Sequence, residues 1–107
     1  MKPIDISPAA LQTVTEILRR YAPEYEVWAF GSRVKQSAWE YSDLDLALIT
    51  DKPLDLFRMA ELREAFSESE LPFKVDIIDW ASTDEGFRDI IRKEQVLLQK
   101  KHKKVYR

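Results

Sequence analysis

Asp43-Leu44-Asp45-Leu46-Ala47-Leu48 follows Gly31-Ser32 after a gap of ten residues, and the reading of the chain turns on that pairing. Side chains alternate along a strand, so Asp43 and Asp45 project the same way with Cα atoms roughly 6.6–7 Å apart. Both carboxylates can then reach one cation. A third acid, Asp76, lies within Phe73-Lys74-Val75-Asp76-Ile77-Ile78, a second run that reads as a strand in a sheet interior. Leu44, Leu46, Ala47, Leu48, Ile49, Val75, Ile77 and Ile78 make both segments look buried, and acids in apolar strands need a reason to be there.

Working outward, Glu26 to Phe30 reads as a first strand running into the Gly31-Ser32 turn, and Leu44 to Ile49 as a second that Asp51-Lys52-Pro53 breaks. Residues 33–39 between them are expected to form a short helix. Upstream, Ser7-Pro8 supplies an N-cap followed by proline at the first helical position. Leu11, Val14, Ile17, Leu18 and Tyr21 then share a face, and Pro23 closes the helix. From Asp55 to about Ser67, Leu56, Met59, Ala60, Arg63 and Phe66 mark another helix, with Leu62 near the same stripe. The third strand spans 73–79. Ser82-Thr83-Asp84-Glu85 caps a third helix with Phe87, Ile90 and Ile91 on its apolar side. Val96-Leu97-Leu98 reads equally as a last helical turn or a short strand. The order predicts an α/β (α+β) fold, a small mixed sheet backed by helices.

At 107 residues the chain is one small domain, assigned to 1–99 with a basic tail over 100–107. It has no cysteine, which excludes disulfides and thiolate metal sites. No apolar run approaches the roughly 20 residues that span a bilayer, and the N-terminus carries no signal-peptide stretch, so the expected location is the cytoplasm without membrane partners. The net charge of −2 hides an asymmetry, because Lys100, Lys101, Lys103, Lys104 and Arg107 crowd the last eight positions. The rest is acidic, which argues against a nucleic-acid footprint built on clustered lysine and arginine. The tail reads more simply as a solvated end.

Three carboxylates brought together repel unless cations intervene. Mg²⁺ takes oxygen ligands and combines one or two carboxylates with water and substrate phosphates. Two such ions can clamp the attacking and leaving oxygens of a displacement at phosphorus. Gly31 lets backbone approach a phosphate, and Ser32 offers a hydroxyl and an N–H. Taken singly, a Gly-Ser turn, an Asp-x-Asp strand or one acid signifies little; the combination points to phosphoryl or nucleotidyl transfer.

These residues resemble the minimal nucleotidyltransferases of the DNA polymerase β superfamily. The likeness rests on Gly31-Ser32-Arg33, on Ser42-Asp43-Leu44-Asp45-Leu46 and on Asp76 within Val75-Asp76-Ile77-Ile78, with residues 90–98 similar to the usual closing segment. It implies Asp43, Asp45 and Asp76 as catalytic metal ligands, Gly31 and Ser32 against the triphosphate, Mg²⁺ as two ions, and ATP as donor. Many relatives carry a second glycine a few residues past the Gly-Ser pair; here Gln36 takes that place. Arg33 and Lys35 are further cations near the phosphates, read as solvent-facing.

Short members of this kind resemble antitoxins encoded with HEPN-domain RNase toxins, which implies transfer of AMP to a tyrosine of the partner toxin. The alternative is a catalytically weak module that neutralises a toxin by binding it, a reading Gln36 favours. Transfer to a small molecule such as an aminoglycoside is a third, disfavoured because no acceptor-holding subdomain is evident. The edge strands and aromatics permit a homodimer or a heteromeric complex. His102 is the only histidine and gives no support to a triad or His-metal site. Trp28 and Trp80 read as core or partner-facing aromatics, as does Trp39, which could alternatively flank a nucleobase. Asp79, at an odd offset from Asp76, should face away from the site.

Overall fold

The computed structural model describes residues 4–102, which form three α-helices around a four-stranded sheet. The elements are α1 (Pro8–Tyr21), β1 (Glu26–Phe30), β2 (Leu44–Ile49), α2 (Leu56–Ser67), β3 (Val75–Asp79), α3 (Glu85–Glu94) and β4 (Val96–Gln99), with a single 3₁₀ turn at Trp80–Ser82. The sheet order is β3-β2-β1-β4. β1 pairs antiparallel with both β2 and β4, whereas β2 and β3 run parallel, joined by the α2 crossover. No helix among the described residues is long and apolar enough to cross a membrane.

Local signals set the helix starts. Ser7 accepts the Ala10 N–H at 3.1 Å, Asp55 the Phe57 N–H at 2.7 Å and Asp84 the Phe87 N–H at 2.9 Å, each satisfying an otherwise orphaned donor. Helix α1 ends at Tyr21, two residues before Pro23.

One sheet face and the first two helices enclose the main core, with Val14, Leu18, Val27, Leu44, Leu46, Leu48 and Leu62 at most 1% exposed. The helical stripes differ from expectation at their ends. Ala10 is buried in place of Leu11, and α2 buries Met59, Leu62 and Phe66 while Leu56, Ala60 and Arg63 stay exposed. The other sheet face carries a smaller cluster of Phe30, Ala47 and Ile91, flanked by Trp28 and Trp80 whose rings meet edge-on at 5.1 Å. Helix α3 covers that face only in part: Ile91 is fully buried, but Phe87 and Ile90 are 38% and 50% exposed.

Three further differences have clear causes. Residues 33–39 form turns, because Lys35 N–H closes one helical turn on the Gly31 carbonyl and Gln36 then enters the left-handed region at φ 60. The third strand starts at Val75, the first residue paired with β2: the Lys74 carbonyl takes the first ladder bond, from the Leu44 N–H, and Phe73 before it is drawn under the Arg33 guanidinium. Val96–Gln99 is a strand, fixed by pairing with β1. The chain continues past it to His102, whose N–H meets the Pro23 carbonyl at 2.9 Å; residues 103–107 of the basic tail lie outside the described residues.

Candidate active site

The parallel register sets Asp45 of β2 directly beside Asp76 of β3, and the antiparallel register sets Phe30 of β1 on its other side. Alternation puts both acids on the α3 face, at the edge of the smaller cluster. Asp43, one residue before β2, is exposed, as is Asp76; Asp45 between them is half-buried. Burial raises the Asp45 carboxyl to about pKa 6, helped by the negative charges of Asp76, Asp43 and Glu94 and opposed by Lys35. The site therefore carries an excess of negative charge that a cation would relieve.

Gly31 closes this end of β1 at φ +85, in the region that disfavours a side chain. A Cβ there would fall 2.2 Å from Asp45 Oδ2. Glycine is thus required for two reasons, backbone conformation and room for the acid. Ser32 follows in the turn, half-buried, with its carbonyl accepting from Ser37.

Glu94, the last residue of α3, escaped the sequence reading. Its Oε1 accepts the Gly31 N–H at 3.0 Å and its Oε2 lies 3.3 Å from Lys35 Nζ. No periodic pattern marks such a residue, because its partners lie about sixty positions away. Gly31, Lys35, Asp45, Asp76 and Glu94 share one open cleft with the apolar side chains of Phe30, Ile78, Phe87 and Ile90.

Arg33 corrects the expectation of a solvent-facing cation. It is only 6% exposed, and its guanidinium donates to the carbonyls of Asp5 at 2.8 Å, Ser42 at 2.9 Å and Glu40 at 3.1 Å. These bonds tie the segment from the Gly-Ser turn to the acids and take Arg33 out of contention for phosphate. Lys35 stays more than half exposed. Asp79 faces the opposite side, as its offset requires, and accepts from the Leu54 N–H at 2.7 Å and from Thr50. Trp39 is 70% exposed and pairs edge-on with Tyr41.

As the side chains stand, no three acidic or imidazole groups among the described residues are grouped tightly enough to hold a metal ion by themselves. The all-oxygen donor set nevertheless suits Mg²⁺, which binds through one or two carboxylates and completes its shell with water and phosphate oxygens. The register-paired Asp45 and Asp76 are the carboxylates placed to be such ligands.

A family model described as "Polymerase beta, Nucleotidyltransferase" matches residues 12–104. The chain belongs to the polymerase β nucleotidyltransferase family. This nucleotidyltransferase is 55% identical over 102 residues to the "Probable protein adenylyltransferase MntA" of Haemophilus influenzae, spanning 95% of the present chain and 90% of that one. By that family membership it is a nucleotidyltransferase. Its fold matches a chain in a toxin–antitoxin crystal structure with AMP-PNP at TM-score 0.70 and 24% identity, covering 82% of this chain and 71% of the other. It also matches a chain in the complex of tri-AMPylated Shewanella oneidensis HEPN toxin with MNT antitoxin, at TM-score 0.63 and 24% identity, covering 84% and 69%.

Proposed function

We propose that this nucleotidyltransferase uses Mg²⁺ and ATP to transfer AMP to a tyrosine hydroxyl of a partner HEPN toxin, and so acts in the cytoplasm as its antitoxin. The observation that carries the reading is the register pairing of Asp45 with Asp76 beside the left-handed Gly31, with Asp43 one step further along the same face. The curated relative is named for protein adenylylation, and the solved relatives of like fold include complexes of a HEPN toxin with its antitoxin.

In this reading Asp43, Asp45 and Asp76 are the catalytic acids and metal ligands, and Gly31 and Ser32 hold the triphosphate. Bound Mg²⁺, as two ions, would neutralise the charge that builds on the phosphate oxygens. The acceptor oxygen bonds to the α-phosphorus, the bond to pyrophosphate breaks, and the hydroxyl proton passes toward Asp76 on the exposed side of the cleft. Residues 1–99 form the catalytic unit and 100–107 a basic extension. The partner supplies the acceptor.

The competing reading, a vestigial site in a binding module, drew on Gln36. Gln36 holds a left-handed φ of 60, a conformation glycine adopts freely, so the turn has a backbone that glycine could equally supply. That favours catalysis. The test is incubation with α-labelled ATP, Mg²⁺ and the partner toxin. Label on a toxin tyrosine that disappears in Asp43→Ala and Asp45→Ala supports the enzyme; an inhibited but unlabelled toxin defeats it.

A further inference from the structure

Glu94 is an acid in a poor place for one. It ends α3, where the helix dipole favours cations, and it adds to the negative charge that Asp43 and Asp76 already impose on Asp45. What holds it is the pair of donors at the phosphate turn, one to each oxygen: Gly31 N–H at 3.0 Å and Lys35 Nζ at 3.3 Å. The Glu94 side chain is 18% exposed, so its carboxylate is largely screened from water, while the Lys35 side chain at 56% reaches it from the solvent side. Two oxygens of one carboxylate receiving a backbone N–H and an ammonium is the arrangement two oxygens of a phosphate would adopt at the same place.

We propose that Glu94 is a placeholder anion: it occupies the Gly31 amide and Lys35 in the nucleotide-free protein, and the triphosphate takes over both donors on binding. This rests on the nucleotide site assigned above and adds to it a residue that sets its affinity. A brace reading of Glu94 predicts the opposite. If the carboxylate merely held the turn in shape, removing it would loosen the turn and weaken nucleotide binding. If it competes with the triphosphate, removing its charge strengthens binding, because a ligand no longer displaces a charged acceptor from a partly buried site. Glu94 competes for the two donors in this scheme and stays outside bond making.

The test is calorimetric binding of α,β-methylene-ATP, which cannot donate AMP, at saturating Mg²⁺ to wild type, Glu94→Gln and Glu94→Ala. Both variants should bind about tenfold tighter, the scale of one like charge removed at close range in a partly screened site. Unchanged or weaker binding by variants that melt like wild type overturns the placeholder role and leaves the nucleotide site standing, since wild type still binds. Failure of all three proteins to bind overturns both. A measurement on wild type alone guards against variants that do not fold: the Gly31 amide resonance must move on saturation with the analogue. An unmoved Gly31 resonance at saturation shows that Glu94 keeps its hold and defeats the proposal.

Discussion

Asp45 and Asp76 face each other across the only parallel strand pair among the described residues, and the half-buried member carries the raised pKa. A carboxyl at about pKa 6 in the native state, against 3.8 for an unhindered one, binds its proton more tightly folded than unfolded. Below about pH 4 both states are protonated and no penalty arises. Between about pH 4 and 6 the unfolded chain gives up this proton while the native state keeps it against burial and its acidic neighbours, so stability falls across that window and levels off above it.

Asp45→Asn should therefore stabilise the protein in metal-free buffer near neutral pH, by about 1–2 kcal/mol once the half-exposed position is allowed for. The gain should vanish near pH 3.5. Urea denaturation of both proteins across this range checks it. A variant equally stable or less stable than wild type at neutral pH contradicts the electrostatic account. With Mg²⁺ added, wild type should regain stability and Asp45→Asn should not.

Gly31→Ala separates function from fold. The added methyl meets Asp45 Oδ2 at 2.2 Å, and the backbone at φ +85 disfavours any side chain. The carboxylate has to swing away, which displaces the acid to which the proposed mechanism assigns the metal. We expect AMP transfer to fall at least about 100-fold, with a stability loss of about 1–2 kcal/mol from the backbone alone. Thermal melts beside single-turnover labelling distinguish the two effects. Near-normal transfer would show that Asp45 tolerates the displacement.

What the sequence could reveal was the part encoded locally. Ser7-Pro8 marks the first residue of α1, and the alternation around Asp43 and Asp45 places β2 from Leu44 to Ile49. The odd spacing of Asp79 from Asp76 foretells its turn to the other face, where it holds Thr50 and Leu54. Features defined by distant partners were not legible. Val96–Gln99 has no period that distinguishes strand from helix until β1 pairs with it, and Arg33 looks like any surface cation until three carbonyls close around it. Glu94 belongs to the same class, because only the folded chain brings the end of α3 to Gly31.

Gln36→Gly should stabilise the protein by about 0.5–1 kcal/mol. At φ 60 the glutamine pays the left-handed penalty that glycine avoids, and only part of the gain is returned through the greater freedom of glycine in the unfolded chain. Since glycine adopts φ 60 freely, the turn should keep its path and transfer activity should change less than threefold. Equilibrium unfolding reads the first expectation and initial labelling rates the second. A destabilised variant would mean that the glutamine side chain contributes more than its backbone costs.

Arg33→Met tests whether the arginine of the Gly-Ser-Arg run binds phosphate or supports the loop. The guanidinium is buried against the Phe73 ring, 4.2 Å from its centroid, and the Asp5 N–H returns a bond to the Arg33 carbonyl at 2.7 Å. Removing it strips the Asp5, Glu40 and Ser42 carbonyls of their donors, and the loss of three part-buried, charge-assisted bonds costs about 2–4 kcal/mol together. Arg33→Lys should recover little, because one ammonium cannot reproduce the planar fork that reaches three carbonyls at once. A phosphate ligand would behave differently: Met would leave the melting midpoint nearly unchanged and weaken nucleotide binding, and Lys would restore much of it. We therefore expect a marked drop in melting temperature for both variants and, at temperatures where they stay folded, nucleotide affinity within about threefold of wild type. Loss of affinity without loss of stability would return Arg33 to the triphosphate.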